Sequence, residues 1–250
     1  MARAAVLGRL TWQLGEVVEL VEETEKVSTL VLAVPGWTGH RPGQHIDLRL
    51  TAEDGYQAQR SYSIASAPEE DRLAVTVDRL DDGEVSPYLV GEIVVGDKVE
   101  LRGPIGGYFV WDGAMSAQPL LLVGGGSGVV PLMSMIRHRA AIGSSTPTRL
   151  LYSSRSVDDV IYRKELDQLG RGDGLTVYHT LTRTQPAGWT GFARRIDREM
   201  FQEITWPVVE SPLAFVCGPT SFVEGAAEIL VGLGYDPRSV KTERFGATGG

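Results

Sequence analysis

The chain has 250 residues, enough for two domains that each bury a core, and its 42% hydrophobic and 22% charged residues exclude disordered and fibrous classes. A net charge of −8 does not attract nucleic acid or anionic lipid. The single cysteine, Cys217, can form neither an intrachain disulfide nor a thiolate-ligated iron–sulfur cluster, so redox chemistry here needs an organic cofactor.

Met1–Gly15 lacks the uninterrupted apolar run of a signal peptide, and no apolar stretch approaches the ~20 residues that span a bilayer. The expectation is a cytoplasmic protein, a monomer, with no membrane or nucleic-acid partner. Short β-branched runs then follow at Val17–Glu22, Ser28–Val34, His45–Leu50, Arg60–Ala65, Leu73–Arg79 and Lys98–Arg102. Breakers such as Pro35-Gly36, Pro42-Gly43, Asp54-Gly55 and Gly96-Asp97 separate them. These runs predict a six-stranded antiparallel β-barrel with one helix, Ser86–Ile93, in which Ser86 is the N-cap and Pro87 the first helical residue.

From Pro119 onward strands and helices alternate. Pro119–Val123 is a strand, and Val129, Leu132, Met133, Ile136 and Ala140 fall at helical spacing. Then come strand Thr148–Ser153, helix Asp158–Leu169, strand Leu175–Thr180, helix Ile196–Ile204, strand Leu213–Cys217, helix Thr220–Leu233 and a strand near Ser239–Thr242. That alternation predicts a C-terminal α/β domain, a parallel sheet with helices on both faces. The division expected is a barrel over 1–112, the α/β domain over 113–242 and a tail over 243–250, with the boundary in Trp111–Gln118.

Several segments carry chemistry, each with an ordinary structural alternative. Leu121 to Val123 run into Gly124, Gly125, Gly126, Ser127 and Gly128 and then a helix with Pro131 in its first turn. Such a turn brings backbone N–H groups to a pyrophosphate, although its spacing is not the usual G-x-G-x-x-G, and tight packing alone also explains it. Arg60 and Tyr62 alternate on one strand, a phosphate-binding guanidinium beside a ring that can stack, or an ordinary half-buried strand. Glu84, Val85 and Ser86 open the predicted helix, where capping is the plain reading. Cys217, Gly218 and Pro219 end a parallel strand at the edge where such sheets bind ligands, although a buried cysteine is usually inert. His40, His45, His138 and His179 lack metal-ligand spacing, and no metal is expected. Arg194, Arg195 and Arg198 are the one close basic cluster, which a solvated helix face accounts for.

In order, Arg60-Ser61-Tyr62-Ser63, Gly83 to Ser86, Gly103-Pro104-Ile105-Gly106-Gly107-Tyr108, Gly124 to Pro131 and Cys217-Gly218-Pro219 resemble the ferredoxin–NADP reductase family. The resemblance extends from Pro42-Gly43-Gln44 to Glu243-Arg244-Phe245, and the pattern is most similar to the reductase components of bacterial oxygenase systems. It departs mildly at Ser127, where threonine is common, and at Tyr108, usually phenylalanine.

The resemblance implies FAD as cofactor and NADPH or NADH as electron donor. Arg60 and Ser61 would hold the FAD pyrophosphate region, Tyr62 would stack on the isoalloxazine, and Ser63 would bond near its reactive nitrogen. Val77 would line the flavin or adenine side, and Glu84, Val85 and Ser86 would meet the pyrophosphate. Gly125, Ser127 and Gly128 would cradle the dinucleotide, and Cys217, Gly218 and Pro219 would lie beside the nicotinamide. Phe245 would shield the flavin, with Ser63, Cys217 and Glu243 nearest the chemistry. Many relatives carry an attached ferredoxin-like domain for which this sequence has no cysteines, so the expected acceptor is a separate ferredoxin, flavodoxin or oxygenase. Ser154, Arg155 and Arg163 follow the second parallel strand, and arginines there lean the choice to NADPH, although Asp158 and Asp159 lie close. Two alternatives stay open: direct reduction of free flavin, quinone, metal or oxygen, and a non-enzymatic flavin-binding redox sensor.

Overall fold

The computed structural model describes residues 10–113, 118–172 and 174–245. The first nine residues of Met1–Gly15, positions 114–117 of the boundary stretch and 246–250 of the tail lie outside the described residues.

Six antiparallel strands form the N-terminal half: β1 (Gln13–Thr24), β2 (Val27–Ala33), β3 (His45–Thr51), β4 (Gln57–Ser63), β5 (Leu73–Asp78) and β6 (Lys98–Ile105), in the order β4-β3-β6-β1-β2-β5. The sheet rolls up so that its edges approach, and Ile64, just past β4, bridges Val75 of β5. Val17, Leu30, Leu32, Ile46, Leu48, Val75, Val77 and Leu101 fill its interior with Val85 and Leu89. Each such side chain contributes roughly 1.5–3 kcal/mol over leaving it exposed. Strand β5 is buried from Leu73 to Val77 without alternation. Its odd residues face the barrel core, while Ala74 packs in the core of the other domain. A strand covered on both sides reads as continuously apolar for that reason.

The helix α1 is shorter than expected, Ser86–Gly91, and Val85 rather than Ser86 is its N-cap. The Ser86 hydroxyl instead accepts from the Leu80 N–H at 3.0 Å, closing the loop that precedes the helix.

The C-terminal half is a five-stranded parallel sheet of β7 (Leu120–Gly125), β8 (Thr148–Ser154), β9 (Leu175–Leu181), β10 (Leu213–Pro219) and β11 (Val240–Phe245), ordered β11-β10-β7-β8-β9. Helices α2 (Val129–Ala141) and α3 (Arg163–Leu169) cover one face, α4 (Arg198–Ile204) and α5 (Thr220–Gly232) the other. The alternation of β7 shows it: Leu120 and Leu122 pack with α2, Leu121 and Val123 with α4 and α5. The last strand runs through Glu243 to Phe245, beyond the Ser239–Thr242 stretch that the sequence pattern picked out.

One expected helix is broken. Asp158–Leu169 resolves into a 3-10 turn, Val157–Asp159, an interruption and then α3. Ser156 and Asp159 form a capping box, and Val160, Ile161 and Tyr162 turn into the core, with Tyr162 at φ 58°. Burial of three successive apolar residues outweighs the helical periodicity that they also satisfy.

The two halves share a core. Val27, Ala65 and Ala74 of the barrel pack with Val129, Val130 and Ile136 of α2. The Ser134 hydroxyl donates to the Ser66 carbonyl at 2.7 Å, and Arg137 Nη1 to the Ala65 carbonyl at 2.8 Å. Among the described residues, no helix is long and apolar enough to cross a membrane.

Candidate functional site

Between the two halves lies a cleft of about 570 Å³, lined by Arg60, Tyr62 and Ser63 on one side and by Ser127, Cys217 and Glu243 on the other. It opens at the carboxyl ends of β7 and β10, where the chain turns α2 to one face of the sheet and α5 to the other, the switch point at which open α/β sheets bind ligands.

The barrel wall is made of side chains. Arg60 is exposed at the rim, where its guanidinium meets Glu84 Oε2 at 2.8 Å, and the Tyr56 hydroxyl donates to Glu84 Oε1 at 2.8 Å. The two hydrogen bonds hold the Glu84 carboxyl below its ordinary range. Tyr62 is half-buried, and burial raises its phenol well above the usual value, so it stays neutral. Ser63 pairs in register with His45 of β3. Ser61 also borders the cleft, but its hydroxyl donates to Asp47 Oδ1 at 2.6 Å, and Asp47 is held by Arg102 at 2.8 Å. Val85 and Ser86 complete this wall.

The sheet wall is made of backbone. Gly126 has φ 56°, a region that side chains rarely enter. At Gly128 a Cβ would lie 2.2 Å from the Cys217 carbonyl oxygen, so the turn and the end of β10 can approach only through glycine. Gly125 is buried against the Phe222 ring, and Gly218 and Pro219 end β10. Ser127, Val130, Cys217 and Glu243 are among the side chains that this wall presents to the cleft.

At the floor three titratable groups meet. Glu243 pairs with Cys217 across β10 and β11, and its carboxylate lies 3.9 Å from His45 Nδ1. Burial raises Glu243 to about 7 and lowers His45 below its usual value. Both shifts favour neutral forms, so this contact is not a standing ion pair at neutral pH. Burial also pushes the Cys217 thiol well up, which rules it out as a ready thiolate nucleophile. Phe245 and Arg244 close the cleft at the end of β11.

Two expected residues lie elsewhere. Val77 is buried in the barrel core, and its neighbours Thr76 and Asp78 border the cleft. Burial raises the Asp78 carboxyl, partly offset by the Ser127 hydroxyl and Arg155. Arg163 borders a second groove behind the cleft, with Glu23, Tyr162 and Glu165. Ser154 ends β8 with its side chain buried, Arg155 follows it at the same sheet edge as the glycine turn, and the Arg183 backbone N–H donates to the Arg155 carbonyl at 2.9 Å. Sequence reasoning passed over His45, Thr76, Asp78 and Arg183. Strand β5 is buried on both faces, so no alternation in the sequence distinguishes Val77 from its neighbours.

The residues present suit a flavin dinucleotide facing a nicotinamide dinucleotide. A cation and a stacking ring stand on one wall, and on the other a turn that Gly126 and Gly128 keep free of side chains around Ser127. The cleft volume lies in the roughly 300–1,000 Å³ range of small-molecule sites.

Comparison with known proteins agrees. Residues 15–110 match the family model of the oxidoreductase FAD-binding domain, and residues 122–228 that of the oxidoreductase NAD-binding domain. The glycine betaine monooxygenase reductase subunit of Chromohalobacter salexigens is 31% identical over 248 residues, covering 95% of this chain and 66% of that protein. The ferredoxin reductase component of 3-ketosteroid-9-alpha-monooxygenase from Mycobacterium tuberculosis is 31% identical over 243 residues, covering 92% and 64%. This chain therefore spans slightly less than two thirds of the length of these relatives. The flavohem-like FAD/NAD-binding domain of nitric oxide dioxygenase from Vibrio cholerae has the same fold, with a TM-score of 0.84 at 24% identity, covering 94% of this chain and 99% of that one. The chain belongs to the FAD- and NAD(P)-binding oxidoreductases of the ferredoxin–NADP reductase family.

Proposed function

We propose that this protein takes electrons from a nicotinamide dinucleotide through bound FAD and delivers them to a separate acceptor protein, a ferredoxin, a flavodoxin or an oxygenase component. One observation carries the reading: a single cleft has Arg60, Tyr62 and Ser63 on one wall and the Gly125–Gly128 turn with Cys217 on the other. The names of the relatives, reductase components of monooxygenases, support the separate acceptor.

Arg60 pairs with the FAD pyrophosphate, aided by Ser61 and by backbone groups of Glu84, Val85 and Ser86. Tyr62 would stack on the flavin, Ser63 would bond near its reactive nitrogen, and Phe245 would shield the ring. Gly125, Ser127 and Gly128 cradle the dinucleotide, with Gly218 and Pro219 at the nicotinamide end. Cys217, a neutral thiol, fills space beside the nicotinamide and sets its approach. Glu243, neutral or charged near pH 7, holds a proton beside Ser63 and His45. When bound, FAD supplies two-electron acceptance and single-electron release. The protein supplies proximity and exclusion of water. The 2′-phosphate of NADPH is met at Arg155, with Arg183 beside it, whereas the Ser154 hydroxyl is buried and Arg163 faces the rear groove, so neither takes part.

The test is anaerobic stopped flow on the full chain loaded with FAD. NADPH or NADH should bleach the flavin absorbance, and an added oxidised ferredoxin or flavodoxin should restore it. A chain that refuses FAD, or binds it and does not bleach, overturns the reading. Restoration by free flavin and by no protein replaces the acceptor with a small molecule.

A further inference from the structure

Behind the cleft, a closed ring of hydrogen bonds ties the two domains together, and one member of it borders the cleft. Thr29 Oγ1 donates to Glu23 Oε1 at 2.8 Å, and the Thr29 and Thr76 hydroxyls lie 2.7 Å apart. The Thr76 hydroxyl also bonds the Tyr162 hydroxyl, and the Tyr162 N–H donates to Glu23 Oε2 at 3.3 Å. A hydroxyl has one proton to give. Thr29 spends its proton on the carboxylate, so Thr76 donates to Thr29 and Tyr162 donates to Thr76. The order runs Tyr162, Thr76, Thr29, Glu23 and returns to Tyr162 through its own backbone.

Three members stand on β1, β2 and β5 of the barrel; the fourth opens α3 of the other domain. Tyr162, Thr76 and Thr29 are all buried, so a shift of one domain against the other would leave several polar groups unpaired at once. Tyr162 is held in the left-handed region at φ 58°, a conformation that a bulky residue keeps only where its surroundings over-determine it. The Arg137 guanidinium lies 4.9 Å from the centre of its ring and is fixed by Glu165 at 2.7 and 2.9 Å. Thr76 carries the effect forward, since it borders the cleft that Ser127 lines from the other domain.

We propose that Tyr162 is a positioning residue that sets the distance between the flavin wall and the dinucleotide wall, acting through the hydroxyls of Thr76 and Thr29. The proposal rests on the electron-transfer reading above and adds to it the element that fixes the spacing of the two rings. A misplacement of about 1 Å away from the chemistry can cost up to roughly a hundredfold in rate, so the ring needs to fail only slightly to be felt.

Three variants test it: Tyr162→Phe and Thr29→Val, which remove one hydroxyl each, and Thr29→Ser, which keeps it. The first readout is amide hydrogen exchange at the start of α3 without added dinucleotide. The second is the anaerobic bleaching rate per bound FAD at saturating NADPH or NADH, with the concentration giving half that rate. Tyr162→Phe and Thr29→Val should bind FAD as the parent does, exchange the Tyr162 amide faster, and bleach about tenfold or more slowly at little changed half-saturation. Thr29→Ser should return both readouts to parental values. Parental bleaching by Thr29→Val and Tyr162→Phe overturns the proposal, as does a Thr29→Ser protein as slow as Thr29→Val. If Tyr162→Phe fails to fold, the Thr29 pair decides alone. A parental protein that does not bleach removes the electron-transfer reading itself, a result distinct from bleaching that ignores the ring.

Discussion

The two walls of the cleft are built from different materials. On the barrel side the chemistry is in side chains projecting from β4 and from the loop before α1, and each can be shortened without moving the strand beneath it. On the sheet side it is in backbone, and what matters there is the absence of side chains at Gly126 and Gly128. A wall of side chains loses function by degrees, whereas a wall of backbone fails at once when an atom is added.

Gly128→Ala should therefore give the largest single effect. The added Cβ would fall 2.2 Å from the Cys217 carbonyl oxygen and 2.7 Å from the Gly218 nitrogen, both backbone atoms with no rotamer to change. Overpacking of that kind costs about 1–3 kcal/mol or more, and the turn must leave β10 to relieve it. Bleaching by dinucleotide should fall at least about a hundredfold, while FAD stays bound to the barrel. Arg60→Ala on the facing wall should only weaken FAD, by about 2 kcal/mol or roughly thirtyfold in Kd, the worth of a charged hydrogen bond. Fluorescence titration with FAD and stopped flow with dinucleotide separate the two. Equal, mild losses from both variants would erase the distinction between the walls.

Glu243 sharpens the contrast, because it is a titratable side chain on the backbone-built wall. Burial lifts its carboxyl from 4.5 to about 7, so the folded chain holds this proton more tightly than the unfolded chain does. Its contribution to stability is complete below pH 4.5, is lost as pH rises toward 7, and changes no further above that. The loss is about 3–4 kcal/mol, at 1.36 kcal/mol for each pKa unit. Glu243→Gln is neutral throughout. It should match the parent in urea unfolding at pH 4.5 and exceed it by that amount at pH 8. A difference that does not grow between the two pH values would mean that the carboxyl is solvated in the folded protein.

Much of this was readable in the sequence, and what was not has a physical reason. Alternating β-branched runs and the strand–helix alternation after Pro119 exposed both sheets, because period and turn residues are local. The break before α3 was hidden, because Val160, Ile161 and Tyr162 satisfy helical spacing while each has a place in the core. Arg60 to Ser63, the glycine turn and Cys217 were visible as contiguous motifs. His45 was not, since its place in the cleft comes from pairing with Ser63 across two strands. Val77 was chosen where Thr76 and Asp78 border the cleft, because a strand buried on both faces gives no alternation from which to read its parity.

The smallest expected effect comes from arginines, and it separates residues near in sequence from residues near in space. Arg163 follows Arg155 closely along the chain, yet the break at Tyr162 turns it to the rear groove, among Glu22, Glu23 and Glu70. Arg183 is far along the chain but reaches the sheet edge beside Arg155, because β8 and β9 are parallel neighbours. A 2′-phosphate bound at that edge would feel Arg183 and not Arg163. Exposed cations of this kind contribute about 1 kcal/mol, so Arg183→Ala should reduce the preference for NADPH over NADH by about fivefold. Arg163→Ala should leave that preference unchanged. Steady-state half-saturation for the two donors, measured on both variants, reads the ratio directly. If Arg163→Ala were the variant that moved it, the dinucleotide would have to pass behind the Tyr162 ring, and the sheet edge would not be its site.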